Sequence, residues 1–268
     1  MRQLRSPELC TVVSKVIIMA QQDSFLKLKG RIGDLTFYKT KNGHQVREKG
    51  GVSAQRIAMD PKYQRTRENN ADFATATLAA KNLRDTLRPL ILMTYDPGMP
   101  NRLGSRMLRV VRADAEHVRG QRQVQAANLP MLQRFNFNVA AMLSNTLFTT
   151  VSATVDATAG TVQVTVPAIE PDTKLAKPRE ATHFQFVAGA AALDFSEEGQ
   201  STLAVAQSEQ FPLTAPIAET VLELALPPAA GLPIAVIFGV AFYIEDQGRS
   251  YGLNNGAYNP MAIINITV

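Results

Sequence analysis

VSATVDATAGTVQVTV, residues 151–166, decides how the chain is divided. Valine and alanine at 151, 153 and 155 and valine at 162, 164 and 166 alternate with small polar residues. The two runs are separated by ATAGT, so a period of two is interrupted by a turn. This is the pattern of two half-buried antiparallel strands joined by a hairpin loop. Five further runs follow at strand-like spacing: THFQFVAGAAALDF (182–195), STLAVAQ (201–207), TVLELALP (220–227), PIAVIFGVAFYIED (233–246) and PMAIINITV (260–268). Turn-forming clusters such as SEEGQ, PPAAGLP, DQGRS and LNNGAYNP separate them, and APIAE precedes TVLELALP. About seven strands at this spacing predict an immunoglobulin-like antiparallel β-sandwich over residues 149–268.

Upstream the period changes. FLKLKG (25–30), GDLTFYKTK (33–41) and HQVREKG (44–50) read as a small β-meander, with Leu26 and Leu28, then Leu35 and Phe37, alternating with polar neighbours. Asn42-Gly43 between the last two runs predicts a hairpin through a type I′ turn, whose central residues need positive φ. Such a meander buries too little surface to be stable alone and must dock on other parts of the chain or on a neighbour. Asp60-Pro61 supplies an N-cap followed by proline, so a helix is expected from there. Its apolar stripe is Phe73, Ala76, Ala80, Leu83, Leu87 and Leu90, and Pro89 should stop or kink it near Arg88. After the turn-rich TYDPGMPNRLG (94–104), Asn101 is expected to cap a second helix with Leu103, Met107, Val110 and Val118 on one side and Gly120 as its stop. LPMLQRF (129–135) reads as a helical turn, and FNFNVAAMLSNTLF (135–148) as connecting structure or a strand. The expected organisation is α+β: a leader at 1–24, a β-meander and helical domain at 25–148, and the sandwich at 149–268.

Charge is unevenly spread. Through residue 150 there are 24 Lys and Arg against 11 acids, and beyond it 4 against 12, although the whole chain carries only +5. Oppositely charged halves suit association between copies as well as nucleic-acid binding. Cys10 is the only cysteine, so no internal disulfide, Cys-based zinc site or CxxC pair can form. No apolar run reaches the roughly 20 residues needed to span a bilayer, so membrane insertion is not expected. MRQLRSPELCTVVSKVIIMA imitates a signal peptide, but Lys15 interrupts its apolar stretch. The reading adopted is a variable leader over 1–18, with Met19 an alternative start.

Catalytic patterns are missing. HExxH, GxSxG, Walker A and GxGxxG do not occur, and KGRIGD (29–34) reads as a turn without phosphate-loop context. His44, His117 and His183 each stand apart from a partner by spacing, and Glu197-Glu198 and Glu245-Asp246 read as solvated turn acids. No enzyme activity, cofactor or metal is expected. Arg102, Arg106, Arg109 and Arg112 recur on one helical stripe, which suits either a subunit interface or a phosphate backbone.

The stretch KGRIGDLTFYKTKNGHQVREKGGVSAQRIAMDPKYQRTRENNADFATA (29–76) resembles the N-terminal signature of a family of uncharacterised bacterial, phage-derived proteins. Its members share a K-G-x-I-G-x-L-x-F-Y-K hairpin, a basic stretch ending in R-T-R-E-N with a helix, and a β-rich C-terminal domain. The resemblance covers Lys29 to about Leu87 and carries no catalytic residues. It implies a component of a phage-like virion or contractile injection system, made in the cytoplasm and then built into a particle. The expected function is therefore a non-enzymatic structural subunit whose partners are further copies or other particle subunits. Its expected interface residues are Phe37, Tyr38, Arg65, Arg67, Arg102, Arg106 and Arg109. The alternatives are a nucleic-acid-associated protein using the basic helices and an adhesin-like module using the sandwich loops.

Overall fold

The computed structural model describes residues 19–22, 27–48, 50–196, 199–227 and 231–268. The chain divides into compact units Met1–Gln64 and Arg65–Val268. Its secondary structure combines helices with several antiparallel sheets, an α+β protein. Among the described residues no helix is long and apolar enough to cross a membrane.

The first unit holds four strands, β1 (Met19–Gln21), β2 (Gly30–Ile32), β3 (Leu35–Thr40) and β4 (Gly43–Glu48), in the order β1-β4-β3-β2. The β3–β4 hairpin forms with Thr40 opposite Gly43, but its turn is not type I′: Gly43 has φ 105° and neither Lys41 nor Asn42 has positive φ. Thr40 Oγ1 accepts the Asn42 N–H at 3.2 Å, and the left-handed glycine closes the loop after them. The expected first strand, 25–30, is displaced: Phe25 and Leu26 lie outside the described residues, and GRI pairs with β3 through a turn at Gly33-Asp34. KGRIGD is thus half strand and half turn. A short helix α1 (Ala54–Met59) follows, capped by Ser53 Oγ on the Arg56 N–H.

In the second unit α2 (Gln64–Thr86) continues from a 3₁₀ turn at Pro61–Tyr63 whose N-cap is Asp60. It breaks at Leu87, ahead of α3 (Arg88–Ile91), where Pro89 cannot donate to the preceding turn. Ala76, Ala80, Leu83, Leu87 and Leu90 are buried as the stripe requires, but Phe73 is 55% exposed and Ala79 and Asp72 take the inner face with them. Helix α4 (Met99–Arg112) starts two residues before Asn101 and ends well short of Gly120, which leaves Val118 outside it and exposed. A 3₁₀ segment (Ala126–Leu132) and the turn α5 (Leu143–Thr146) lead into the strands.

Strands β5 (Ser152–Asp156) and β6 (Thr161–Val166) form the expected hairpin, and after α6 (Pro171–Lys174) come β7 (His183–Ala192), β8 (Thr202–Gln207), β9 (Phe211–Pro212), β10 (Thr220–Ala225), β11 (Ile234–Asp246), β12 (Arg249–Gly252) and β13 (Met261–Thr267). They make two sheets, β10-β6-β5 and a larger one built on the β7–β11 pair. On the outer sides of that pair, β13 and β12 each pair with successive stretches of β11, and β8 and β9 each pair with β7.

The periodicity of burial explains the layering. β6 and β10 bury alternate residues, so one face of the small sheet meets solvent, whereas β7 and most of β11 are buried continuously. A strand buried without alternation has both faces covered. Phe184, Phe186, Val236, Phe238 and Phe242 face the small sheet through Val164 and Leu222, while Val187, Ala235 and Ile237 on the opposite face join Leu83, Leu87, Leu103 and Met107 of the helices. Helices and strands of the unit Arg65–Val268 therefore share one core.

Candidate functional site

The meander offers the first surface. None of the described side chains in residues 20–64 is buried, even though four strands are paired there. Register decides the faces, because directly opposed residues project to the same side and successive residues to opposite sides. Ile32 pairs with Leu35, Phe37 with Val46, and Val46 with Ala20, so these five apolar residues share one face, with Ile32 59% and Leu35 43% exposed. On the other face Thr36 and Tyr38 sit beside Arg31, Gln45 and Arg47, and the Arg47 guanidinium lies 5.5 Å from the centroid of the Tyr38 ring. Phe37 and Tyr38 were expected to serve one interface; as neighbours on a strand they present opposite faces.

The second surface is a groove of about 460 Å³ beside α4, lined by Arg102, Arg106, Arg109 and Arg134 together with Asn101, Ser105, Phe135, Asn136, Val139 and Met142. No acid lines it. Among the described residues, Arg106, Arg109 and Arg134 have no acidic partner, while Arg102 is engaged through both terminal nitrogens and leaves its buried Nε without a hydrogen-bond partner. Its Nη1 donates to the Asn136 carbonyl at 2.9 Å, its Nη2 donates to Asp96 Oδ2, and its guanidinium covers the Phe135 ring at 5.2 Å. Burial pushes the Asp96 carboxyl up, but hydrogen bonds from Arg102, Val139 and Gly98 outweigh it and hold the group below the usual carboxylate range.

Arg134 reaches the groove from strained backbone: its φ is 64°, in the left-handed region that a non-glycine residue occupies at a cost of roughly 1–3 kcal/mol. The conformation is held because residues 134–137 join the edge of β13, with Arg134 N–H donating to Ile263 O and Phe137 N–H to Met261 O, each at 2.8 Å. Phe135 and Phe137 pack edge to face at 5.3 Å, and Asn138 bonds the carbonyls of Ala257 and Asn259. The alternation of FNFN is thus the signal for this edge, with phenylalanines inward and asparagines satisfying loop backbone.

Of the expected interface arginines, the groove gathers Arg102, Arg106 and Arg109. It does not take Arg65, which is exposed and 3.5 Å from Glu68, or the half-buried Arg67; neither lines it. Arg112 donates to Asn69 Oδ1 at 2.8 Å.

Two histidines have carboxylate partners that spacing did not show. His117, in the loop after α4, lies 2.8 Å from Asp114 Oδ2, and His183 Nε2 lies 3.1 Å from Glu245, which is paired within β11 one residue before its end. Asp114 is a loop organiser: its buried carboxylate also accepts the N–H groups of Glu116, His117 and Gln123. Burial pushes its pKa up, and these bonds more than reverse that, leaving it well below the ordinary carboxylate value. Asp72 serves the same loop by accepting the Gly120 N–H at 2.9 Å, with Arg122 at 3.5 Å. Glu197 and Glu198 lie outside the described residues. Among the described residues no three His, Cys, Asp or Glu side chains converge as metal ligands.

No family model, curated protein or solved structure matches the chain.

Proposed function

We propose that the chain is a non-enzymatic structural subunit that associates with further copies of itself through its N-terminal meander. One observation carries the reading: a four-stranded sheet with an apolar face has no buried side chain among the described residues of 20–64. A sheet of this size needs its apolar face covered to be stable. The resemblance of Lys29 to about Leu87 to phage-derived proteins suggests the setting, a virion-like particle or contractile injection system assembled after cytoplasmic synthesis. The two sheets facing each other across a phenylalanine-rich core support an immunoglobulin-like reading of residues 149–268, with the helices added to one outer face. Light scattering on nuclease-treated protein over a range of concentrations tests the proposal. A mass at a defined multiple of 29.2 kDa supports it, and 29.2 kDa at every concentration defeats it.

The arginine groove favours a second reading, association with nucleic acid. Guanidiniums without internal partners suit phosphate oxygens. That reading requires binding to an oligonucleotide with a steep salt dependence, lost when Arg106, Arg109 and Arg134 are changed to alanine. Unchanged binding in that variant rules the groove out.

A further inference from the structure

The apolar meander face carries charges of opposite sign at its two ends. Lys39 and His44 are directly opposed on β3 and β4 at one end, and Leu35 is opposed to Glu48 at the other, so all four share the face of Phe37 and Val46. Neither Lys39 nor Glu48 has an ion-pair partner among the described residues, and His44 Nδ1 is buried without a hydrogen-bond partner there.

Resting on the assembly reading, we propose that the occupant is the same face of a second copy, packed sheet on sheet about a two-fold axis lying between the sheets and across the strands. Two such axes could bring identical sheets face to face. An axis along the strands superposes like ends, Lys39 on Lys39 and Glu48 on Glu48. An axis across the strands brings the Lys39–His44 end of one copy over the Glu48 end of the other, twice by symmetry. Only the second arrangement matches charge with charge; Phe37 and Val46, midway between the ends, meet their counterparts, and Ile32 and Leu35 at the Glu48 end lie over the alkyl chain of Lys39 and the ring of His44. The face spans about 20 Å along its six-residue strands, which places it at the small end of specific interfaces, so the pairing is reversible and depends on concentration.

Sedimentation equilibrium of the full chain tests this through a charge exchange. Lys39→Glu and Glu48→Lys each set like charges against each other and should weaken dimerisation on the order of tenfold. The combined variant restores opposite charges and should return to within about threefold of the original. Phe37→Asp should abolish the dimer, with an unchanged melting transition of the helix-and-strand core as the folding control. A dimer indifferent to Phe37→Asp, or single-charge effects that add in the combined variant, overturns this face while leaving self-association standing. An original chain that is monomeric throughout overturns both.

Discussion

Arg102 donates through Nη2 to Asp96 Oδ2 at 2.5 Å, and the same oxygen accepts the Val139 N–H at 3.1 Å. The pair ties the start of α4 to the loop after Phe137, and Arg102 Nη1 completes the tie at the Asn136 carbonyl. Asp96→Ala should therefore leave a half-buried guanidinium and two backbone donors, the N–H groups of Val139 and Gly98, without their acceptor. The expected loss is about 2–3 kcal/mol in urea denaturation. Arg102→Lys should recover little of it, since an ammonium cannot reach two acceptors with the fixed fork of a guanidinium.

The arginines one and two turns further along α4 should behave differently. Arg106→Glu and Arg109→Glu remove no internal ion pair and should change stability by no more than about 0.5 kcal/mol. Denaturation curves of the three positions side by side check this. A large loss at Arg109 would mean that the groove's charges serve the fold.

Acid stability should report on Asp114. Its folded pKa lies below that of the unfolded chain, near 3.9, so its contribution is complete above that value and is lost as pH falls toward the folded pKa. Asp114→Asn keeps the shape but loses the charge that three backbone donors and His117 address. Melting temperatures of the original chain and this variant should differ by a constant amount above about pH 5 and draw together progressively as pH falls below about 4 toward the folded pKa.

Leu90 packs directly over Gly189 of β7. A Cβ at 189 would run into the Leu90 side chain. Gly189→Ala should cost about 1–3 kcal/mol by overpacking, and combining it with Leu90→Ala should cost less than the sum of the two. A double-mutant cycle measures that difference, and strict additivity would contradict the contact.

Where burial follows a short period, the sequence carried the structure well. The β5–β6 hairpin, the strands beyond it and the α2 stripe follow from Val162, Val164, Leu83 and their spacing. The continuous run at 234–242 was informative in a way that a two-layer reading does not use: nine consecutive buried residues require cover on both faces, and helices supply the second. Asp96, Asp114 and Arg134 were not legible, because their roles depend on loop backbone brought near by tertiary contacts: Val139 to Asp96, Gln123 to Asp114, and Ile263 to Arg134. The apolar meander face was partly legible. Leu35 and Phe37 showed alternation, but placing Ile32 and Val46 beside them needed the register, and the turn that sets it is closed by Gly43 alone.

Amide hydrogen exchange of the full chain at rising protein concentration tests the central claim most directly. In an isolated copy, a sheet without buried side chains should open readily, so residues 35–48 exchange fast. The account predicts that their protection grows with concentration while that of β7 and β11 stays constant. Exchange of residues 35–48 that is the same at every concentration would contradict it.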